Sequence, residues 1–84
     1  MKVFELGVVE IVNETVVYNY YLYKELKSQN LLERIKKFFE KYNLNYKILN
    51  IEDLWNKKDK SQEYILLYDS ADCSLILREK LIEN

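Results

Sequence analysis

The chain has no histidine, one cysteine and 14 carboxylates, so any catalysis would have to run on a thiol, paired acids or lysine. The thiol is Cys73. Without an imidazole beside it, activation would need a helix N-terminus or an adjacent cation. Two acids, Asp69 and Asp72, precede it instead, and they carry the wrong charge to favour a thiolate. Cys73 therefore reads as a small buried hydrophobe. The acids form two local pairs, Glu52-Asp53 and Asp69/Asp72, neither with the glycine-anchored spacing of a calcium loop. Acids at 52 and 53 suit a helix N-terminus, and those at 69 and 72 suit a turn. With a single glycine, neither a phosphate-binding loop nor a dinucleotide fingerprint can be written. The expectation is a non-catalytic protein with no cofactor and no metal. A small hydrolase using two carboxylates and a lysine ranks third among the readings.

The formal net charge of −1 hides a gradient. Residues 24–60 hold ten basic and six acidic side chains, while both flanks are acidic. The basic middle contains Lys36 and Lys37 on one helical segment and Lys57, Lys58 and Lys60 in a polar stretch. With tyrosines for base stacking, these five lysines are the candidate contacts of an alternative function, RNA or DNA binding. Lysine outnumbers arginine 11 to 2, however, and arginine supplies the fork that reads bases. Lysine mixed with glutamate on a helix face is also ordinary solvation.

Tyrosine is the feature a core alone does not explain. There are eight, and four fall at 18, 20, 21 and 23. In a strand these residues divide between two faces. Val16, Tyr18, Tyr20 and Leu22 are assigned to the core face, which leaves Val17, Tyr21 and Tyr23 on the other. A tyrosine brings large contact area, little entropy cost and a hydroxyl, so Val17, Tyr21 and Tyr23 form the candidate protein interface. The leading expectation is a small protein that acts by binding another protein of unknown identity, and that also self-associates through this face. An adaptor, a complex subunit or an inhibitor encoded by a virus or plasmid fits that description.

The elements that must position these residues follow from periodicity. Alternation over the first 26 residues predicts an antiparallel hairpin turning at Asn13-Glu14, with Val9 opposite Tyr18 and Ile11 opposite Val16. In that register Glu5 would face Leu22 on the core side. One extra residue at Gly7-Val8, a bulge, would instead set Leu6 against Tyr20 and Phe4 against Leu22. Leu31, Leu32, Ile35, Phe38, Phe39 and Tyr42 recur at helical spacing and predict a helix over 29–43. Ser28 or Asn30 would cap its start, and Asn43 followed by Leu44 would close its end. A third strand is expected at 46–49. A short helical turn carrying Ile51, Leu54 and Trp55 follows, then an exposed loop and a hairpin of 64–68 with 73–82. A helix over the last segment is the alternative. The fold class is a single α+β domain over residues 1–84, of order ββαβββ, with a mainly antiparallel sheet covered on one face by one amphipathic helix.

No apolar run approaches the length of a membrane span. The opening Met1-Lys2-Val3-Phe4 leads straight into strand-like alternation, so no signal peptide is expected and the expected location is cytoplasmic. The richness in Lys, Asn, Ile and Tyr is what an AT-rich coding sequence produces.

Overall fold

The computed structural model describes residues 1–47 and 50–83. Their order is β1 (Lys2–Val12), β2 (Thr15–Tyr23), α1 (Gln29–Lys41), α2 (Ile51–Lys57), β3 (Tyr64–Asp69) and β4 (Cys73–Leu81). The four strands make one antiparallel sheet in the order β2-β1-β4-β3, so β1 and β4 are central. The α+β class holds, as do the N-terminal hairpin, the main helix and the final hairpin. Cys73–Leu81 is a strand because Cys73, Leu75 and Leu77 share one buried face, which a helix would have scattered. A second helix takes its place behind the sheet. The strand expected at 46–49 falls partly on Ile48 and Leu49, outside the described residues, and Tyr46 and Lys47 are not in a strand.

The main helix starts and stops where its side chains dictate. Ser28 Oγ accepts from the Leu31 N–H at 3.5 Å. At the far end Asn43 takes a left-handed φ of 55°, the Asn43 N–H donates to Glu40 O at 3.1 Å, and the Leu44 N–H donates to Phe39 O at 2.8 Å. These two bonds are the Schellman stop. Between the caps, Leu31, Ile35, Phe38 and Phe39 are buried against Leu6, Val8, Leu75 and Leu77 of the central strands. Each such side chain contributes about 1.5–3 kcal/mol relative to exposure. The second helix covers the same side, with Ile51 in that core and Trp55 edge-on to Phe4 at 5.5 Å.

The ladder between β1 and β2 corrects two expectations. It runs unbroken from Phe4↔Tyr23 to Val12↔Thr15, with no bulge at Gly7. Val9 does pair with Tyr18 and Ile11 with Val16, but Leu6 pairs with Tyr21 and Glu5 with Leu22. The sheet irregularity lies instead in β3, between Leu66 and Tyr68. The second correction concerns the faces. Tyr21 and Tyr23 pack against the helix-side core, and Val17 lies on the same side. Val16, Tyr18, Tyr20 and Leu22 point the other way, where no described helix lies.

The turn joining these strands requires φ > 0 at both central residues, and Asn13 (50°) and Glu14 (63°) supply it. Asparagine tolerates this conformation, whereas a glutamate in it is strained by about 1–2 kcal/mol. Glu14→Gly should therefore stabilise the fold by about 1 kcal/mol, roughly 4–8 °C in Tm for a domain of this size. Equal or lower melting of the variant in calorimetry would show that the turn is not strained.

Candidate functional site

The helix-free side of the sheet has an unusual make-up for a solvent-facing surface. From β2 it receives Val16, Tyr18, Tyr20 and Leu22, from β1 Val9 and Ile11, from β4 Ile76, and from β3 Tyr64 and Leu66. Val16 is 67% exposed, Tyr20 54% and Leu66 50%. Between the walls made by Tyr18 on one side and Tyr64 and Leu66 on the other runs a groove of about 450 Å³, also lined by Ile76 and Arg78.

A Cβ placed at Gly7 would meet the Tyr18 hydroxyl at 2.7 Å and its ring at 2.9 Å. Glycine lets the Tyr18 ring lie across β1, where its hydroxyl donates to Glu5 Oε1 at 2.7 Å. Glu5 is only 1% exposed, yet it lies on this helix-free side, as does the buried Val3. Its carboxylate also accepts from Arg78 Nε at 2.9 Å and from Lys80 Nζ at 3.4 Å, both on the neighbouring strand β4. Burial by itself would push the Glu5 carboxyl up, but the bonds from Arg78 and Tyr18, the Arg78 charge and the bond from Lys80 together hold it below the usual glutamate value. Lys80 Nζ also stands 5.5 Å from the centre of the Tyr20 ring. One acid and two bases thus sit in an aromatic and aliphatic field.

Of the residues expected to form the interface, Tyr21 and Tyr23 are held by α1. The Arg34 guanidinium stacks on the Tyr21 ring at 3.6 Å and donates through Nε to the Tyr23 hydroxyl at 3.0 Å, tying both rings to α1. The five candidate lysines lie in the helical layer or just beyond it. Lys36 and Lys37 are exposed on α1, Lys57 is in the last turn of α2, and Lys58 and Lys60 follow. Lys58 lies over the Trp55 ring at 4.7 Å and donates to Gln62 O at 2.9 Å. Lys36 and Lys37 are thus on the helical side, away from Tyr18 and Tyr20, whereas Lys57 and Lys58 reach the β3 edge of the sheet, where Tyr64 and Leu66 line the same cleft. This larger cleft, of about 870 Å³, separates α2 from β3, with Asp53, Lys57 and Lys58 among mainly apolar and amide residues.

The acids fall into structural places. Asp53 stands at the start of α2, where its N–H donates to Asn50 Oδ1 at 3.2 Å, and Glu52 pairs with Lys27 at 3.7 Å. Asp69 accepts from Ser74 Oγ at 2.6 Å beside the β3–β4 turn. Cys73 is buried in the core, its Sγ 3.6 Å from Ser70 Oγ. Glu10, on the helix side, accepts from Lys41 Nζ at 2.6 Å and from the Tyr42 hydroxyl. Those two bonds, Lys41 first, hold its carboxyl below the usual glutamate value. Burial, and then the bond to Glu10, push the Tyr42 phenol well above the usual value. Among the described residues no cluster of three acids or thiols could hold a metal ion, no buried side-chain polar atom lacks a partner, and no helix is long and apolar enough to cross a membrane.

No family model, curated protein or solved structure matches this chain.

The role given to Gly7 is testable by a double-mutant cycle. Gly7→Ala should cost about 1–2 kcal/mol, because displacing Tyr18 breaks a hydrogen bond to a buried charge. In a Tyr18→Ala background the same change should be neutral or stabilising, since alanine is favoured over glycine within a strand. An equal cost in both backgrounds, read by urea denaturation, would show that Tyr18 is not the reason for glycine.

Proposed function

We propose that this is a small non-catalytic protein that acts by binding another protein on the open face of its sheet, as an adaptor, complex subunit or inhibitor. The observation that carries the reading is one-sided coverage. Both helices lie behind Leu6, Val8, Leu75 and Leu77, while Ile11, Val16, Tyr18, Tyr20, Leu22, Tyr64 and Leu66 are exposed in front. Small soluble domains seldom carry a contiguous apolar surface of this kind unless it is a contact. Tyrosine among aliphatic residues is the composition of interface centres. The interface expected on Val17, Tyr21 and Tyr23 thereby moves to the opposite face of the same strand. Self-association, if it occurs, would use this face too.

Exposed tyrosines beside Arg78 and Lys80 also resemble a stacking platform for single-stranded nucleic acid. Two features favour protein. The aliphatic side chains outnumber the tyrosines on the face, and Glu5 offsets one of its two cations. Of the lysines that would have to hold the phosphates, Lys36 and Lys37 are on α1 behind the sheet, while Lys57 and Lys58 line the cleft beside α2 that meets this face at its β3 edge, at Tyr64 and Leu66.

Affinity capture from cells of the source organism, comparing variants, checks the assignment. Tyr20→Ser with Leu66→Ser should lose the partner, at about 1–3 kcal/mol for each truncation, with circular dichroism unchanged. Lys57→Ala, Lys58→Ala and Lys60→Ala together should retain it. A partner kept by the first variant and lost by the second, or a nuclease-sensitive partner, would contradict the reading.

A further inference from the structure

From the charge pattern inside the groove we infer the chemistry of the partner: an apolar segment that places a carboxylate against Arg78. The inference rests on the docking face proposed above and narrows what can occupy it. Arg78 gives its Nε–H to Glu5, and half of its side chain remains in solvent at the groove's lining. A guanidinium has further N–H donors, arranged to receive a carboxylate in a planar, paired geometry. Lys80, 42% exposed, adds a second positive charge on the same strand. Glu5 already accepts from Tyr18, Arg78 and Lys80 and is almost fully enclosed, so it neutralises only one of the two cations.

Any apolar surface that closes over this groove dehydrates the remaining positive charge. Leaving it unpaired would oppose binding, whereas a carboxylate from the partner turns the same burial into a directed contact. This separates the possible occupants. A second copy of the chain brings its own Arg78 and Lys80 to the contact. Its acids on this side are Glu5, already saturated, and Asp69, which sits at the end of β3 and is engaged by Ser74. Nucleic acid would meet the cations with phosphate and could stack on Tyr18 and Tyr64, but Leu66 and Ile76 between them offer no stacking face. An acidic residue flanked by leucine or aromatic side chains satisfies both the walls and the guanidinium.

Random 12-residue peptides displayed on phage, panned against the intact protein, supply the probe. Enriched sequences should carry Asp or Glu next to Leu, Phe, Tyr or Trp. A synthetic enriched peptide should bind at least about 10-fold more weakly when its acid is changed to the amide, a comparison made on the unaltered protein. Arg78→Gln should erase the difference between acid and amide peptides, and Leu66→Asp should abolish binding of both. Enriched peptides without acids, or an acid peptide no better than its amide, would overturn the carboxylate inference while leaving the docking face standing. Binding indifferent to Leu66→Asp, or no enrichment at all, would overturn both. Sedimentation showing a dimer that Leu66→Asp converts to monomer would place a second copy on the face and overturn the inference. Displacement of the peptide by single-stranded oligouridylate would do the same in favour of nucleic acid.

Discussion

A carboxylate enclosed in the middle of a sheet is costly unless donors converge on it, and Glu5 draws three from the two strands that flank its own. Tyr18 reaches it from β2, while Arg78 and Lys80 reach it from β4. The arrangement requires glycine at position 7, because the Tyr18 ring occupies the space a side chain would fill there. It also decides which side of the sheet can receive helices. Leu6 and Val8 with Leu75 and Leu77 offer a dry surface on one side, and α1 and α2 cover it. On the other side a helix would have to dehydrate Arg78 and Lys80, whose two positive charges exceed what Glu5 neutralises.

The open face follows from that asymmetry. The sheet is completed by its charged cluster rather than by a second layer, and the aliphatic and tyrosine side chains around the cluster stay in solvent. The fold is held by the helix side, so the exposed residues of the other side are free of any packing role behind the sheet. The groove across the face is set by rigid strands and needs no loop to form it.

Local chemistry made much of the fold legible. Asn13-Glu14 reads as a hairpin turn, Ser28 and Asn43 as helix ends, and the shared face of Cys73, Leu75 and Leu77 as a strand, because each signal lies within a few residues. The choice of face on β2 was not legible. Both of its faces are apolar and aromatic, so alternation defines two sets without saying which one meets the helix. The bulge expected at Gly7 came from treating Glu5 as too polar for a position opposite Leu22. What makes the position tolerable lies 73 and 75 residues away, in Arg78 and Lys80, and no local pattern points there. The face carrying Val17, Tyr21 and Tyr23 is the one that meets the helices, not the open one. The lysines of the middle segment are visible as a group, but sequence does not reveal that Lys36 and Lys37 lie on the helical side, away from Tyr18 and Tyr20, while Lys57 and Lys58 lie beside Tyr64.

The central claim is that the open sheet face, not the helical layer, meets the partner. Proton NMR of the eight tyrosine rings, recorded while the captured partner is added, tests it most directly. The account predicts that Tyr18, Tyr20 and Tyr64 shift or broaden, while Tyr21, Tyr42 and Tyr68 on the helix side keep their free-state positions. Unchanged signals from Tyr18, Tyr20 and Tyr64 together with shifts at Tyr21 and Tyr23 would contradict it.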